Sequence, residues 1–203
     1  ADGVGGALND YAATASVSIN LAVPAIDKRS AAPAGAPIGA SVTYPILITL
    51  PEGLTRGLIV VDDLPLGLAY ASHSIVTTVA GSGGLLTADY NGVLPAPVIT
   101  APGTSGDDVT FNFGDVPTAA DATTTNNAFV IFVTARVVNE TDNQNGDILS
   151  NYAHLIYTDS ETGATTIADN IAEIVTVLEP ELDIAKSADD TTPAYGQTLT
   201  YTL

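Results

Sequence analysis

The chain has 203 residues, 46% of them hydrophobic, and its 23 acidic residues outnumber five basic ones, which gives a formal net charge of −18. This length holds one or two domains, and the apolar fraction is sufficient for a hydrophobic core. The charge opposes binding to nucleic acid and to anionic membrane surfaces, and no apolar run has the length of a membrane span. The absence of cysteine excludes disulfides and thiolate metal sites.

Short apolar runs recur between Gly, Pro and Asn residues, and no segment of helical length has a 3.6-residue period. One run, 127–138, is apolar on both faces and is therefore predicted to be a central strand. The Gly/Pro-rich segment 80–107 is predicted to be a long inserted loop. Strands are predicted at 14–23, 40–50, 57–62, 68–79, 108–113, 127–138, 148–158 and 171–178, with a final pair within 182–203.

This number of alternating strands predicts an all-β, immunoglobulin-like β-sandwich. In each strand the apolar residues at every second position share the face that is directed to the core. The predicted core therefore includes Val42, Tyr44, Ile46, Val109, Phe111, Phe129, Ile131, Val133, Val175 and Val177.

The end of the chain repeats an earlier stretch of the sequence. Residues 182–203 match residues 26–46 at an offset of 157, or 156 before a one-residue gap. Together with the residues just before them, the two stretches share the order of a strand, a Pro, an apolar residue followed by Asp, a turn, a Gly and an alternating strand that contains Thr-Tyr. This order predicts a tandem or strand-sharing repeat of about 157 residues, and in this alignment Lys186 falls on Arg29.

The repeat divides the chain into three expected parts. Residues 1–24 are the last strand of a preceding repeat or a donor strand, 25–181 are a complete sandwich, and 182–203 are the first strands of a following repeat. The end strands are expected to pack with an adjacent repeat or with another subunit, by strand addition. The residues expected to form these assembly strands are Val17, Ile19, Leu21, Val23, Leu199, Tyr201 and Leu203.

Three stretches carry a family resemblance: LDIAKSADDTTPAYGQTLTYTL (182–203), VVDDLPLGLAY (60–70) and GDILSNYAHLIYTD (146–159). They resemble an immunoglobulin-like repeat family of prokaryotic surface proteins, a domain of unknown function related to fimbrial domains that form isopeptide bonds. The resemblance implies a secreted, multi-domain surface or fibre protein that is not an enzyme.

Relatives in the isopeptide-forming branch join a first-strand lysine to an asparagine late in the domain, with the help of a buried carboxylate. The resemblance implies Lys28, Asn151 and Asp62 for these three roles. The sequence departs from this pattern at one place, because the repeat alignment sets Lys186 opposite Arg29, and arginine cannot form the amide.

Acidic loops provide oxygen ligands for calcium, or they form a solvated surface, and the sequence leaves both interpretations open. The segment NETDNQNGD (139–147) lacks the spacing of an EF-hand, and its Asn139 is the sole N-glycosylation sequon. Calcium is the one cofactor considered. Its candidate ligands are Glu179, Glu181, Asp183, Asp189, Asp190, Asp142 and Asp147.

The sequence offers little for catalysis. His73 and His154 are too few for a metal triad, and the neighbouring residues Asp62 and Asp63 are expected on opposite faces of a strand. The sequence therefore predicts a non-enzymatic structural repeat of an extracellular filament, sheath or surface layer, whose partners are head-to-tail copies of itself. The alternative is an adhesive module at the cell surface that binds a glycan or a partner protein through its long loops.

Overall fold

The computed structural model describes residues 15, 22–141, 143–169, 172–179 and 184–202. A single 3₁₀ turn, Thr124–Asn126, accompanies the strands of this described part. None of its helical segments is long or apolar enough to cross a membrane. The strands are β1 (Ala25–Lys28), β2 (Gly35–Pro37), β3 (Ser41–Thr49), β4 (Gly53–Asp63), β5 (Leu68–Val76), β6 (Val98–Thr100), β7 (Val109–Thr118), β8 (Ala128–Val137), β9 (Ile148–Thr158), β10 (Thr165–Asp169), β11 (Glu173–Leu178), β12 (Ser187–Ala188) and β13 (Tyr201–Thr202).

Two sheets form an all-β, immunoglobulin-like sandwich. The first sheet has the order β1-β3-β8-β5, and the second has the order β2-β11-β9-β4-β7-β6. Strands β10 and β11 both pair with β9, each with a different half of it. Strand β2 runs parallel to β11, whereas the other pairs are antiparallel. Strands β12 and β13 form a separate two-stranded sheet.

The hydrophobic core lies between the two sheets, where the alternating pattern places it. Every predicted core side chain is fully buried, from Val42 on β3 to Val177 on β11. Strand β8 pairs with β3 on one side and β5 on the other, so the prediction of a central strand is confirmed. Strand β9 has the bounds that the sequence predicts, because its inward and outward residues alternate without interruption.

Two strands are longer than the sequence predicts. Strand β4 begins at Gly53 and β7 ends at Thr118, yet the pairing between them shifts register between Thr55 and Leu58. The Asp115 carboxylate accepts a hydrogen bond from the backbone N–H of Gly57 at 3.0 Å within this bulge. A bulge breaks the alternation of side chains, so the sequence pattern stops where the pairing continues.

The short strands depend on their neighbours. Strands β1, β2, β6 and β10 are not among those predicted from alternation, because a few residues cannot establish a period and pairing defines them instead. The predicted strand 14–23 lies almost wholly outside the described residues. Within the described residues the final pair consists of Ser187–Ala188 and Tyr201–Thr202, and Ile184 is exposed outside it.

A buried lysine, aspartate and asparagine between the sheets

Three polar residues enter the core from three strands. Lys28 is the last residue of β1 in the first sheet, whereas Asp62 on β4 and Asn151 on β9 belong to the second sheet. Asp62 pairs with Ala153 in the register of β4 and β9, and Asn151 lies two residues further along the same face of β9. The strands therefore direct both side chains toward Lys28, which is the grouping that the family resemblance implies.

The lysine amine contacts groups of the opposite sheet. Lys28 Nζ donates hydrogen bonds to Asp62 Oδ1 and to the backbone carbonyl of Tyr152, the latter at 2.9 Å. It also lies 4.9 Å from the centre of the Tyr44 ring. Lys28 is only 2% exposed, and Asp62 and Asn151 are fully buried. The amine is thus fixed inside the sandwich, away from water.

Burial shifts both titratable groups toward their neutral forms. Desolvation lowers the pKa of Lys28, and the attraction of Asp62 opposes this shift without cancelling it. Desolvation likewise raises the pKa of Asp62 against the opposing effects of Lys28 and of the neighbouring Asn151 amide. A neutral amine has a free electron pair and can act as a nucleophile, and a protonated carboxyl can donate a hydrogen bond to a carbonyl oxygen.

Several buried polar atoms of this group lack hydrogen bonds of ordinary geometry. Within the described part of the chain, neither Asn151 Oδ1 nor Nδ2 has such a partner, and the same holds for Asp62 Oδ2 and the Tyr44 hydroxyl. Each unsatisfied buried group costs about 1–3 kcal/mol. Buried groups of this kind call for an explanation, and a reactive arrangement of the side chains is one.

The residue beside Lys28 has a different environment. Arg29 is about half exposed and forms an ion pair with Asp27. The lysine is thus the basic residue at the end of β1 that lies in the interior, and the departure noted in the repeat alignment does not remove an amine from the site.

Two further residues influence the site and are not predicted as parts of it. Glu173 is opposite Asn151 in the pairing of β11 and β9, and its negative charge opposes the lowering of the Lys28 pKa and adds to the raising of the Tyr44 pKa. Burial is the largest cause of the raised pKa of Tyr44. The sequence places Tyr44 in the core, but alternation alone carries no information about its distance from the lysine.

The carboxylates considered for calcium cap turns where they are described. Asp147 accepts a hydrogen bond from the backbone of Gln144 at 2.6 Å, and Asp190 accepts one from the backbone of Thr192 at 2.8 Å. Similar bonds from backbone N–H groups reach Glu179 and Asp189. No three His, Asp or Glu side chains of the described ranges form a group suited to a metal. Glu181, Asp183 and Asp142 lie outside those ranges, and calcium stays a prediction.

The two histidines lie apart from the buried group. His73 Nδ1 is 2.6 Å from the Tyr70 hydroxyl, and the His73 ring packs edge-on against Phe111. His154 Nδ1 is 3.0 Å from Asp63 Oδ2 on the outer side of the second sheet. Asp62 and Asp63 therefore face opposite ways, as the strand geometry predicts.

The remaining predicted residues have exposed or undescribed positions. Asn139 is exposed, and its glycosylation stays a prediction. Of the expected assembly strands, Val23 is 60% and Tyr201 54% exposed, and Leu199 is partly buried. Val17, Ile19, Leu21 and Leu203 lie outside the described residues, and the role of 1–24 in a neighbouring unit stays a prediction.

Comparison with known proteins supports the fold. No protein-family model matches the chain, and no curated protein matches it. The full-length major pilin SpaD from Corynebacterium diphtheriae is similar over 75% of this chain and 34% of its own, with 11% identity and a TM-score of 0.54. A two-domain fragment of SpaD gives 12% identity and a TM-score of 0.51, over 73% of this chain and 51% of the fragment.

A variant of BcpA, the major pilin subunit of Bacillus cereus, gives 17% identity and a TM-score of 0.50, over 76% of this chain and 40% of its own. This chain spans between a third and a half of the length of these structures. At such identities the likeness concerns the fold. The molecule is an immunoglobulin-like β-sandwich of the kind found in major pilins.

Proposed function

We propose that this chain is a structural module of an extracellular filament, and that an amide bond between Lys28 and Asn151 locks its sandwich. The observation that carries the proposal is the burial of an amine, a carboxyl and a carboxamide together between the two sheets. The similarity to major pilins supports the filament role. The surface charge and the lack of cysteine agree with a module that keeps its fold outside the cell without disulfides.

The bond forms by exchange of one amide for another. The neutral amine of Lys28 attacks Cγ of Asn151 with its electron pair, while the protonated Asp62 carboxyl donates a hydrogen bond to Oδ1 of Asn151. The bond from Cγ to Nδ2 then breaks, the amine proton passes to Nδ2 through Asp62, and ammonia leaves. Atoms and charge balance without an oxidant or a cofactor, and Asp62 ends as it began.

The position of the bond suits a mechanical role. It joins the first strand of one sheet to a central strand of the other, so the covalent loop contains most of the sandwich. Tension applied along the chain would pass through the amide instead of separating the sheets. Head-to-tail contact between copies would then give a filament of stiff units.

The adhesive alternative receives less support. Of the described aromatic side chains, those of Tyr152, Tyr195 and Tyr201 are exposed, and Tyr152 alone belongs to the sandwich. A sugar platform needs several aromatic rings at one place. A non-catalytic, load-carrying role at the cell surface is therefore the better proposal.

The mass of the intact protein tests the amide. We expect the purified 203-residue chain to be lighter than its sequence by one ammonia, and a proteolytic digest to contain a peptide pair joined from Lys28 to Asn151. Asp62→Ala, Lys28→Ala and Asn151→Ala should each have the full mass. The matched control Lys186→Ala, which removes the exposed lysine, should still lose ammonia. A folded wild-type chain of full mass would overturn the proposal.

The filament role has its own test. Antibodies raised against the purified protein should decorate filaments on intact source cells in immunoelectron microscopy. Label confined to the cell interior would contradict the extracellular assignment, whatever the mass measurement gives.

A further inference from the structure

The segment 184–202 repeats the local structure of the sandwich's opening. Ala40 N–H donates to the Pro37 carbonyl at 3.0 Å around a turn that contains Gly39. Gln197 N–H donates to the Ala194 carbonyl at 3.0 Å, again around a turn with a left-handed glycine, since Gly39 has φ 89° and Gly196 has φ 84°. The two turns are thus equivalent at an offset of 157 residues.

The strand that follows each turn pairs antiparallel with the segment that precedes the turn. Thr43 bonds to Ala32 through backbone hydrogen bonds of 3.0 and 3.1 Å, and Asp189 N–H donates to the Thr200 carbonyl at 3.0 Å. Since Thr200 is equivalent to Thr43, Asp189 takes the place of Ala32. The copy preserves the antiparallel contact at the same offset.

Closer to Lys28, the strand pairing of the copy differs by one residue from the pairing of the opening strands. Arg29 N–H donates to the Pro45 carbonyl at 2.8 Å, and Ser187 pairs with Thr202, the residue equivalent to Pro45. Ser187 is therefore the counterpart of Arg29. The residue before it, Lys186, is then the counterpart of Lys28, and not of Arg29 as the sequence alignment has it.

A side-chain contact agrees with this register. Lys186 Nζ lies 4.0 Å from the centre of the Tyr201 ring, and Lys28 Nζ lies 4.9 Å from the centre of the equivalent Tyr44 ring. The two lysines differ in their surroundings. Lys28 is covered by Asp62 and Asn151 of the second sheet, whereas Lys186 and Tyr201 are exposed.

We infer that residues 184–202 are the opening strand pair of a second unit of this kind, and that Lys186 is the lysine it contributes to an amide bond. This inference rests on the proposed function of Lys28. The partner it requires is a half-sandwich equivalent to residues 47–178, which presents an aspartate and an asparagine in the arrangement of Asp62 and Asn151. The bond exchange is the same: the amine of Lys186 replaces the amide nitrogen of that asparagine, and ammonia leaves.

An extended chain tests the inference. Residues 47–178 are appended to the full 203-residue chain, so that the natural segment 182–203 precedes a duplicate of the partner half. The chain has two lysines, Lys28 and Lys186, so each cross-link is assignable. We expect the extended chain to be lighter than its sequence by two ammonia molecules, and each of its variants Lys186→Ala and Lys28→Ala to be lighter by one. A digest of the extended chain should contain a peptide that joins Lys186 to the duplicated Asn151.

The outcomes distinguish a failure of this inference from a failure of the proposed function on which it rests. If neither the extended chain nor any of its variants shows a mass deficit, the proposed Lys28–Asn151 amide is itself absent. A single deficit that Lys186→Ala leaves unchanged would overturn the inference, provided that a control with residues 25–46 in place of 182–203 shows two deficits.

A second measurement tests the inference even if the appended copy of residues 47–178 does not fold. In the unextended chain, nuclear Overhauser contacts should connect the Lys186 side chain with the Tyr201 ring, and Ser187 with Thr202. Contacts in the other register, with Lys186 directed away from Tyr201, would overturn the inference without any cross-link.

Discussion

Lys28 and Asp62 form a buried pair whose desolvation outweighs their mutual attraction, as the directions of both pKa shifts indicate. Replacing such a pair by apolar residues often leaves stability unchanged or raises it, so a buried pair is weak evidence for a stabilising role. The proposed amide bond gives the pair a reactive role instead. Its neutral forms are the ones that make an amine nucleophilic and a carboxyl a proton donor.

The pH dependence of stability tests the environment of Asp62. Lys28→Met leaves Asp62 buried without the partner that lowers its pKa, so that pKa rises further above the unfolded value. A group with a raised folded-state pKa contributes stability below its unfolded pKa and loses it as pH rises through the folded pKa. The free energy of unfolding of Lys28→Met should therefore fall as pH rises above the unfolded pKa of about 4.

Chemical denaturation at a series of pH values measures this slope. The double variant Lys28→Met/Asp62→Asn is the control, because it lacks the titrating carboxyl and retains the other acidic residues. The difference between the two variants should grow with pH. A difference that is constant or shrinks would mean that Asp62 is not held in its neutral form.

A glycine next to a buried amide offers a second test at this scale. Gly67 has φ 101°, and a Cβ there would lie 2.4 Å from Oδ1 of Asn143, whose Nδ2 donates to the Gly67 carbonyl. Gly67→Ala should lower the free energy of unfolding by more than Gly39→Ala, which shares the left-handed backbone but meets no atom within 4 Å. The control isolates backbone strain of about 1–2 kcal/mol. Equal losses in thermal unfolding would show that Asn143 moves aside freely.

At the scale of the elements, β8 organises the first sheet. Its inward face contributes Phe129, whose ring packs edge-on against Phe113 at 5.3 Å and Tyr90 at 6.0 Å between centroids. These partners come from β7 of the other sheet and from the long loop. A single side chain of the central strand thus joins both sheets and the inserted segment.

Truncation of this side chain should be costly. Phe129 is fully buried, so Phe129→Ala should lower the free energy of unfolding by about 3–5 kcal/mol through lost burial and the resulting cavity. Val98→Ala, on the edge strand β6 where Val98 is 72% exposed, is the control and should change it by less than about 0.5 kcal/mol. Similar denaturation midpoints for both variants would contradict the packing described for β8.

At the scale of the whole molecule, the amide would restrict the unfolded chain. A link from Lys28 to Asn151 closes a loop of more than a hundred residues, and a cross-link of that span reduces the entropy of the unfolded state by an amount worth about 4–5 kcal/mol. The same link ties the edge strand β1 of the first sheet to the interior strand β9 of the second, so separation of the sheets would no longer unfold the chain completely.

Asn151→Ala should therefore unfold at a lower denaturant concentration than wild type, by a free energy of about 4 kcal/mol or more. Ser150→Ala, which changes the neighbouring outward-facing residue of β9, should resemble wild type. The variant without the amide should also be cleaved faster by protease at elevated temperature. Equal stability of Asn151→Ala and wild type would mean that the link is absent or is not placed as described.

The sequence alone determined the sandwich, because period-2 alternation over long strands such as β3, β8 and β9 leaves one face for the core. It also determined the residues of the candidate site, since the resemblance implied Lys28, Asp62 and Asn151. Alternation could not predict that these three side chains lie close together. Their proximity depends on the register of β4 against β9 and on the placement of β1 across the core.

The tertiary structure also decided the features that depend on pairing between distant residues. The bulge of β4 and the short strands β1, β2, β6 and β10 have too few residues for a period and are defined by their neighbours. The register of Lys186 was decided in the same way, since one inserted residue is invisible in a biased composition but changes which side chain lies over Tyr201. Strand pairing is non-local, and a one-residue shift moves a side chain to the opposite face, so only the folded chain fixes which of Lys28 and Arg29 is directed inward.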